Sequence, residues 1–331
     1  MKRRLYSEGM EERTGLIIRG INNIYTVESG EEQYLCRIKG KQLEGVEGEY
    51  NPLAVGDRVS FVVTGTEEGL ILRRLQRTNS FQRWNTKGKA NQTVVANMDA
   101  IICVTSAANP PFRPRFIDRV IASAIDVEVI ILLNKCDLEM KEEDAFRFEH
   151  YGALGFQTAA VSAETGENLD RLVQIIRDKK VAFVGQSGVG KSTLINALLG
   201  SDQKTDEIST KYDRGRHTTN HSLLMRTGNL TIVDTPGVRE IFVPHTDLQQ
   251  IQRAFPEFKR YRCLYDPCLH MEEPECGVKV AVEEEEILFD RYESYLRIVE
   301  SLEMITPDYL SRNERSEAWI ERGAEYDWEE S

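Results

Sequence analysis

A glycine-rich loop between an apolar strand and a helix-forming segment constrains this sequence most. GQSGVGKST, residues 185–193, fits the pattern G-x-x-x-x-G-K-[ST] and follows the apolar run VAFVG. In such loops, backbone N–H groups wrap phosphates and the helix N-terminus adds a favourable dipole. We therefore expect Lys191 to bridge the terminal phosphates of a nucleotide and the Ser192 hydroxyl to bind Mg²⁺. An accidental glycine-rich turn is the alternative.

A second loop, NKCD at residues 134–137, indicates that the base is guanine. It ends a buried strand, where ligands meet open α/β sheets. The Asp137 carboxylate can accept from both N1–H and the exocyclic amine of guanine, whereas adenine would leave it unpaired. We expect Asn134 to reach the other edge of the base and the Lys135 stem to cover its face. Backbone donors of SAETG, residues 162–166, can meet guanine O6.

The segment VDTPG, residues 233–237, ends another apolar strand and predicts a magnesium and γ-phosphate contact. Asp234 is expected to hold the Mg²⁺ shell, often through water, and the Gly237 N–H to meet the γ-phosphate. Upstream, Thr218 or Thr219 of KYDRGRHTTNH could complete the magnesium coordination, and we favour Thr219.

The residue that positions the attacking water is not given by a standard motif. Many GTPases use a glutamine just after the Asp-x-x-Gly turn, and here Val238 takes that place. A valine cannot orient water, so we expect slow intrinsic hydrolysis. His217 is our candidate for the positioning group. An exposed loop histidine without a role is the alternative.

These interpretations define three overlapping sets of site residues. The predicted catalytic residues are Lys191, His217 and Thr219. The predicted magnesium ligands are Ser192, Thr219 and Asp234. The predicted nucleotide-binding residues are Asn134, Lys135, Cys136, Asp137, Ser162, Ala163, Gly185, Gln186, Ser187, Gly188, Val189, Gly190, Lys191, Ser192, Thr193 and Gly237.

The order of these motifs is circularly permuted, because the guanine loop precedes the phosphate loop. A parallel sheet tolerates this order, since every site loop still leaves the same edge. The segment after Gly237 then runs directly into a cysteine–histidine region. We hypothesise that loss of the γ-phosphate repositions this region and the N-terminal part of the chain.

The strand and helix pattern predicts three domains. Residues 1–80 contain four or five short β-rich segments, which fit an OB-like barrel, and we expect this barrel to bind RNA. An SH3-like barrel or a meander with no binding role is the alternative. Residues 81–245 alternate Val/Ile/Leu-rich strands with helices, which indicates a parallel sheet covered on both faces. Residues 246–331 are mostly helical, with a long acidic helix from near residue 281 and an acidic tail.

A zinc centre is predicted by Cys263, Cys268, His270 and Cys276, with the spacing C-x4-C-x-H-x5-C. Three thiolates and an imidazole complete a tetrahedral Zn²⁺, so the site would be structural. Three unconnected cysteines are the alternative. Beside them, the basic and aromatic residues 259–262 fit either an RNA contact or a solvated helix face.

Charge and hydropathy narrow the class of protein. No apolar run approaches the roughly 20 residues that cross a bilayer, and we expect a cytoplasmic protein. The formal charge is −12, but residues 278–331 hold sixteen Asp/Glu against six Lys/Arg. The acidity belongs largely to that end of the chain, so a partner surface elsewhere could still be basic.

With these parts in view, the sequence resembles the ribosome small-subunit-dependent GTPase A family, called RsgA. The resemblance spans nearly the whole chain: the barrel, the permuted motifs NKCD, GQSGVGKST, GRHTT and DTPG, and the cysteine–histidine cluster. It implies a GTPase that binds the small ribosomal subunit and its rRNA, is stimulated by it, and helps to release an assembly factor late in maturation. We expect a monomer that holds one Zn²⁺ and uses Mg²⁺ with GTP.

Two other functions are compatible with parts of this pattern. One is a GTP-dependent RNA-binding checkpoint in which hydrolysis is secondary. The other is an ATP-using phosphate-loop enzyme such as a small kinase, which Asp137 argues against.

Overall fold

The N-terminal region forms a small closed barrel. The computed structural model describes residues 11–21, 23–38, 43, 46, 49–200, 222–237, 241–244 and 246–305. The barrel strands pair in the order β1-β2-β3-β5-β4, and β4 returns to β1. Alternate residues such as Ile17, Val27 and Phe61 fill its interior. The predicted OB-like barrel is confirmed. Its strands are β1 (Glu12–Ile21), β2 (Ile24–Ser29), β3 (Glu32–Ile38), β4 (Arg58–Val63) and β5 (Glu68–Arg74).

A hairpin that the sequence pattern did not predict follows the barrel. It consists of β6 (Ser80–Asn85) and β7 (Ala90–Ala96). The buried Thr93 fixes it to the barrel, because its backbone N–H donates to Asn51 Oδ1 at 3.1 Å and its hydroxyl accepts from Arg77 at 2.9 Å. The polar run in β6 hid the strand, since that strand buries only Phe81.

The central part of the chain is a mostly parallel sheet in the order β10-β9-β8-β11-β13-β12, with only β12 antiparallel. Successive residues of β8 alternate between two hydrophobic cores, one on each face. Helices α1 and α2 cover one face, and α3 and α4 cover the other, as predicted. The strands are β8 (Ala100–Ser106), β9 (Glu128–Asn134), β10 (Gln157–Ala160), β11 (Lys180–Gly185), β12 (Leu223–Thr227) and β13 (Leu230–Asp234). The helices are α1 (Pro114–Ser123), α2 (Glu142–Ala153), α3 (Leu169–Ile176) and α4 (Lys191–Gly200).

The barrel and the sheet are continuous. Strand β1 pairs with the edge strand β12, where Arg19 lies opposite Leu223. A displacement of β12 would therefore reach the barrel directly.

The C-terminal region is helical and packs against α1. Its elements are α5 (Leu248–Ile251), two 3₁₀ turns (Gln252–Ala254 and Pro256–Arg260), α6 (Gly277–Glu283) and α7 (Phe289–Ile305). The long helix begins at Phe289, not near residue 281 as the sequence suggested. The preceding helix ends where Ala281 O accepts from both Glu286 and Ile287, with Glu285 at φ 60°. Among the described helices, none combines the length and the apolar composition that a membrane span requires.

Candidate nucleotide site and metal centre

The predicted nucleotide loops meet at one edge of the parallel sheet. Strands β8, β9, β11 and β13 all run in the same direction, so their carboxyl ends lie together. The chain proceeds from β8 outward to β9 and β10, then returns to place β11 on the other side of β8. The point where strand order reverses therefore lies between β8 and β11. Open α/β sheets bind ligands in that crevice.

The phosphate loop, residues 185–190, depends on its glycines. Gly188 and Gly190 have φ of 84° and 90°, which L side chains rarely adopt. A Cβ on Gly190 would lie 2.4 Å from Asn134 Nδ2. Glycine therefore allows the guanine loop to approach the phosphate loop.

Lys191 is buried at the first position of α4. Its Nζ donates to Gly185 O at 2.7 Å and to Gln186 O at 3.0 Å. Burial lowers the pKa of Lys191 to about 8, and the negative charge of Asp234 opposes that shift. A cation held in this way gains from any anion that reaches the crevice.

The guanine loop contacts the phosphate loop through two side chains. Asn134 is 2 % exposed, and its Nδ2 donates to Val189 O at 2.8 Å. Lys135 Nζ donates to Gly188 O at 3.0 Å, and its backbone adopts φ of 60°. The two motifs, which stand in permuted order along the chain, are therefore neighbours in space.

The SAETG loop, residues 162–166, is joined to the guanine loop. Ala163 N donates to Asn134 Oδ1 at 3.1 Å, so the Asn134 amide joins three loops. Ser162 is fully buried, and its Oγ accepts from Thr165 N at 3.1 Å. Asp137 is exposed beyond these anchors. The contacts of the Asp137 carboxylate and of the backbone of residues 162–166 with a base stay predictions.

The DTPG turn lies against the phosphate loop. The buried Thr235 donates its hydroxyl to Phe183 O at 2.7 Å, which ties the turn to β11. A Cβ on Gly237 would lie 3.2 Å from Lys191 Nζ and 3.4 Å from the Ser187 Cα. Asp234 is 1 % exposed at the end of β13.

The remaining predicted residues divide into two groups. Ser187, Ser192 and Thr193 are exposed around the start of α4, and Cys136 is half-buried beside Asp137. His217, Thr218, Thr219 and Val238 lie outside the described residues, as does the acidic tail from residue 306.

The cysteine–histidine cluster is compact. The ligand atoms of Cys263, Cys268, His270 and Cys276 all lie within 4.8 Å of one another. Cys263 Sγ is 3.7 Å from Cys276 Sγ, and each of these sulfurs is 3.4 Å from His270 Nδ1. Zn–S bonds of about 2.3 Å in a tetrahedron place two sulfurs about 3.8 Å apart. The spacing fits zinc.

The surroundings of the cluster also fit a metal. Burial raises the pKa of the Cys268 thiol to about 12, so a cation is needed to hold it as a thiolate. Burial lowers the pKa of His270, which favours the neutral imidazole that ligates metals. The His270 carbonyl accepts from Tyr292 at 2.7 Å, and Glu273 accepts from Leu269 N and Met271 N at 2.6 and 2.8 Å.

Sequence reasoning missed two features near these sites. The turn after β8, residues 107–110, reaches the phosphate loop through Pro110; the Asn-Pro-Pro run beyond an apolar strand was an available signal. Arg291 of α7 is buried and paired with Asp118 of α1 and with Glu257 at 2.9 Å. No local pattern reports a pair 173 residues apart.

Two family models match the chain. The model described as RsgA GTPase matches residues 74–244, and the model described as RsgA N-terminal domain matches residues 14–71. Together they include the barrel, the hairpin and the sheet.

Relatives and solved structures agree with these models. Proteins named small ribosomal subunit biogenesis GTPase RsgA are 37% identical in Borrelia garinii subsp. bavariensis, covering 86% of this chain and 95% of the relative, and in Chlorobaculum parvum, covering 88% and 99%. YjeQ from Thermotoga maritima is 29% identical with a TM-score of 0.66, covering 88% of this chain and 99% of that one. YloQ, a circularly permuted GTPase, is 24% identical with a TM-score of 0.63, covering 90% and 98%, and supports the fold alone. The chain therefore belongs to the RsgA family of circularly permuted GTPases.

Proposed function

We propose that this GTPase acts on the small ribosomal subunit late in its maturation and that the subunit stimulates its hydrolysis of GTP. The names of the relatives support the subunit as partner. The observation that carries the site is the direct contact between the guanine loop and the phosphate loop, through Asn134 and Lys135. Because the two loops touch, one nucleotide can span them.

In this proposal, the base binds on the β9 side of the crevice. The exposed Asp137 accepts from N1–H and the exocyclic amine of guanine, and the Lys135 stem covers the ring. Backbone donors of residues 162–166 meet guanine O6. Asn134 then acts mainly by joining the loops, because both ends of its amide bind protein groups.

The phosphates bind on the β11 side. Lys191 exchanges the carbonyl oxygens of Gly185 and Gln186 for phosphate oxygens. The negative charge of the phosphates then stabilises an ammonium that burial has removed from water. The hydroxyl and carboxylate oxygens of Ser192, Thr219 and Asp234 are the hard ligands that Mg²⁺ prefers. When bound, Mg²⁺ neutralises charge on the β- and γ-phosphates.

Hydrolysis needs a group that holds the attacking water in line with the γ-phosphate. We assign this role to His217, with the Gly237 N–H on the γ-phosphate. His217→Ala is expected to lower turnover and to leave GTP affinity within about twofold. Unchanged turnover in a variant that still binds GTP would remove His217 from the mechanism.

The four cluster residues hold one structural Zn²⁺ in this proposal. Four protein ligands leave no open coordination position, so no catalytic role is assigned to the metal.

The segment after Gly237 couples the nucleotide to the rest of the molecule. Phe242 O accepts from Trp84 N of the hairpin at 2.8 Å, and the neighbouring side chains of Ile241 and Val243 are buried. A shift of the DTPG turn on loss of the γ-phosphate would therefore reach the hairpin and the barrel behind it. Equal hydrogen-exchange protection of residues 238–280 with a GTP analogue and with GDP would contradict this coupling.

The partner is tested by GTP turnover with small subunits, with large subunits and with neither. We expect strong stimulation by small subunits alone. Equal turnover in all three assays would contradict the proposal. Binding of small subunits without stimulation would favour the checkpoint function, in which hydrolysis is secondary.

A further inference from the structure

The turn after β8 occupies the point where strand order reverses, yet no nucleotide motif includes it. The turn is closed by one buried side chain, because Ser106 Oγ donates to Pro110 O at 2.7 Å. It is also tied to the guanine loop, because Ala107 N donates to Asn134 O at 3.1 Å. Its backbone is therefore fixed at both ends.

This turn contacts both loops that the nucleotide would span. The Lys135 ammonium donates to Asn109 O in the turn and to Gly188 O in the phosphate loop. A Cβ on Gly188 would lie 3.7 Å from Pro110 Cδ, so the proline ring packs beside the phosphate loop. The ammonium thus has one carbonyl acceptor on each of two loops.

We propose that Ser106 is a positioning residue for Lys135 in nucleotide binding. The proposal rests on the role of Lys135 given above. By closing the turn at Pro110, Ser106 places the adjacent Asn109 carbonyl as the second acceptor of the ammonium. A lysine side chain has many rotamers, and two acceptors on separate loops hold its stem in one of them before the base arrives.

The proposal predicts a change in affinity without a change in chemistry. Ser106→Ala should raise the dissociation constants of GDP and GTP alike, by about five- to tenfold, because the Lys135 side chain must then be ordered when the nucleotide binds. Turnover at saturating GTP should stay unchanged, because the stem contacts the base in both the ground state and the transition state. Stopped-flow association and release of a fluorescent GDP together give its dissociation constant.

Ser123→Ala is the matched control. Ser123 is also a buried serine, at the end of α1, and its Oγ has no hydrogen-bond partner in the described part of the chain. The same atom is removed without loss of a bond. We expect nucleotide release at the wild-type rate.

Lys135→Met provides the decisive background, because it keeps the stem and removes the ammonium. If Ser106 acts through that ammonium, Ser106→Ala weakens GDP binding in the wild type and has no further effect in Lys135→Met. The same fold-loss in both backgrounds would show a merely structural role and overturn the proposal. Wild-type affinity in Ser106→Ala, or an equal loss in Ser123→Ala, would also overturn it.

Two outcomes distinguish a wrong role for Ser106 from a wrong assignment of the nucleotide site. Should Ser106→Ala fail to fold, Lys135→Met still tests whether the ammonium contributes to nucleotide binding, because Lys135 is half-exposed and the change should be tolerated. Unchanged GDP affinity in that variant would overturn the proposal. Wild-type protein that binds no GDP would contradict the proposed nucleotide site itself. Normal wild-type binding with unaffected variants would contradict only the role of Ser106.

Discussion

The nucleotide crevice and the cysteine–histidine cluster are built in opposite ways. The crevice collects loops from distant parts of the chain, and the sheet beneath them holds their positions. The cluster lies within residues 263–276, a segment with little regular structure of its own. In the crevice, Lys191 is a cation buried among carbonyl oxygens. The cluster brings together buried thiols that a cation would stabilise. We therefore expect the crevice to lower the stability of the unliganded protein and the cluster to gain stability from a bound metal ion.

Removal of a cluster ligand should give the largest effect. Cys276→Ser is expected to lose zinc and to unfold residues 263–276, with a cost above about 5 kcal/mol in the C-terminal region, because metal-binding energy there is folding energy. Zinc content and hydrogen exchange measure this. Cys136→Ser, which lies outside the cluster, should keep one zinc. Full protection of the segment without metal would show that it does not depend on a metal ion for its fold.

The next effect tests how firmly the cluster region is joined to the sheet. Arg291→Met leaves the buried carboxylates of Asp118 and Glu257 without their cation, at a cost of about 3–5 kcal/mol. Arg297→Met, in the same helix, breaks only a solvent-accessible pair with Glu293 and should cost less than about 1 kcal/mol. Urea unfolding measures both. Equal losses of unfolding free energy in the two variants would show that the buried ion pairs of Arg291 do not anchor α7.

At the crevice, removal of a binding residue should raise the stability of the unliganded protein, whereas the two preceding changes lower it. Lys191 has a lowered pKa when folded, so the folded protein binds this proton less tightly than the unfolded chain. Below pH 8 the ammonium therefore destabilises the fold. Lys191→Met should abolish GTP binding yet stabilise the unliganded protein by about 1–3 kcal/mol at pH 7. The gain should shrink as pH rises from 8 towards 10.5, as thermal unfolding can show. A variant less stable than the wild type at pH 7 would show that the buried ammonium of Lys191 does not destabilise the fold.

The sequence predicted those parts of the molecule whose pattern is local. Each parallel strand is an apolar run followed by a helix, and each nucleotide loop follows a strand end, so the edge of the sheet could be assigned in advance. The four residues of the cysteine–histidine cluster were recognisable because their spacing is short. These features need no information about distant contacts.

Features that lack a clear local pattern, or that depend on distant pairing, were not predictable. The β6–β7 hairpin is polar along most of β6, so its burial pattern gives little strand signal. The β1–β12 pairing joins the barrel to the sheet across 204 positions, between Arg19 and Leu223. The bond from Ser106 to Pro110 is short in sequence, but its importance appears only when the phosphate loop is placed beside it.

If the permuted loops form one guanine-specific crevice, Asp137→Asn should change which base binds there. The amide NH₂ group of this variant can donate a hydrogen bond to O2 of xanthine. In guanine the exocyclic amine takes the place of that oxygen, and two donors cannot form a hydrogen bond with each other. We predict that the dissociation constant for GDP rises by at least about tenfold while that for XDP falls by a similar factor. Unchanged GDP affinity, with no gain for XDP, would show that Asp137 does not select guanine in this crevice.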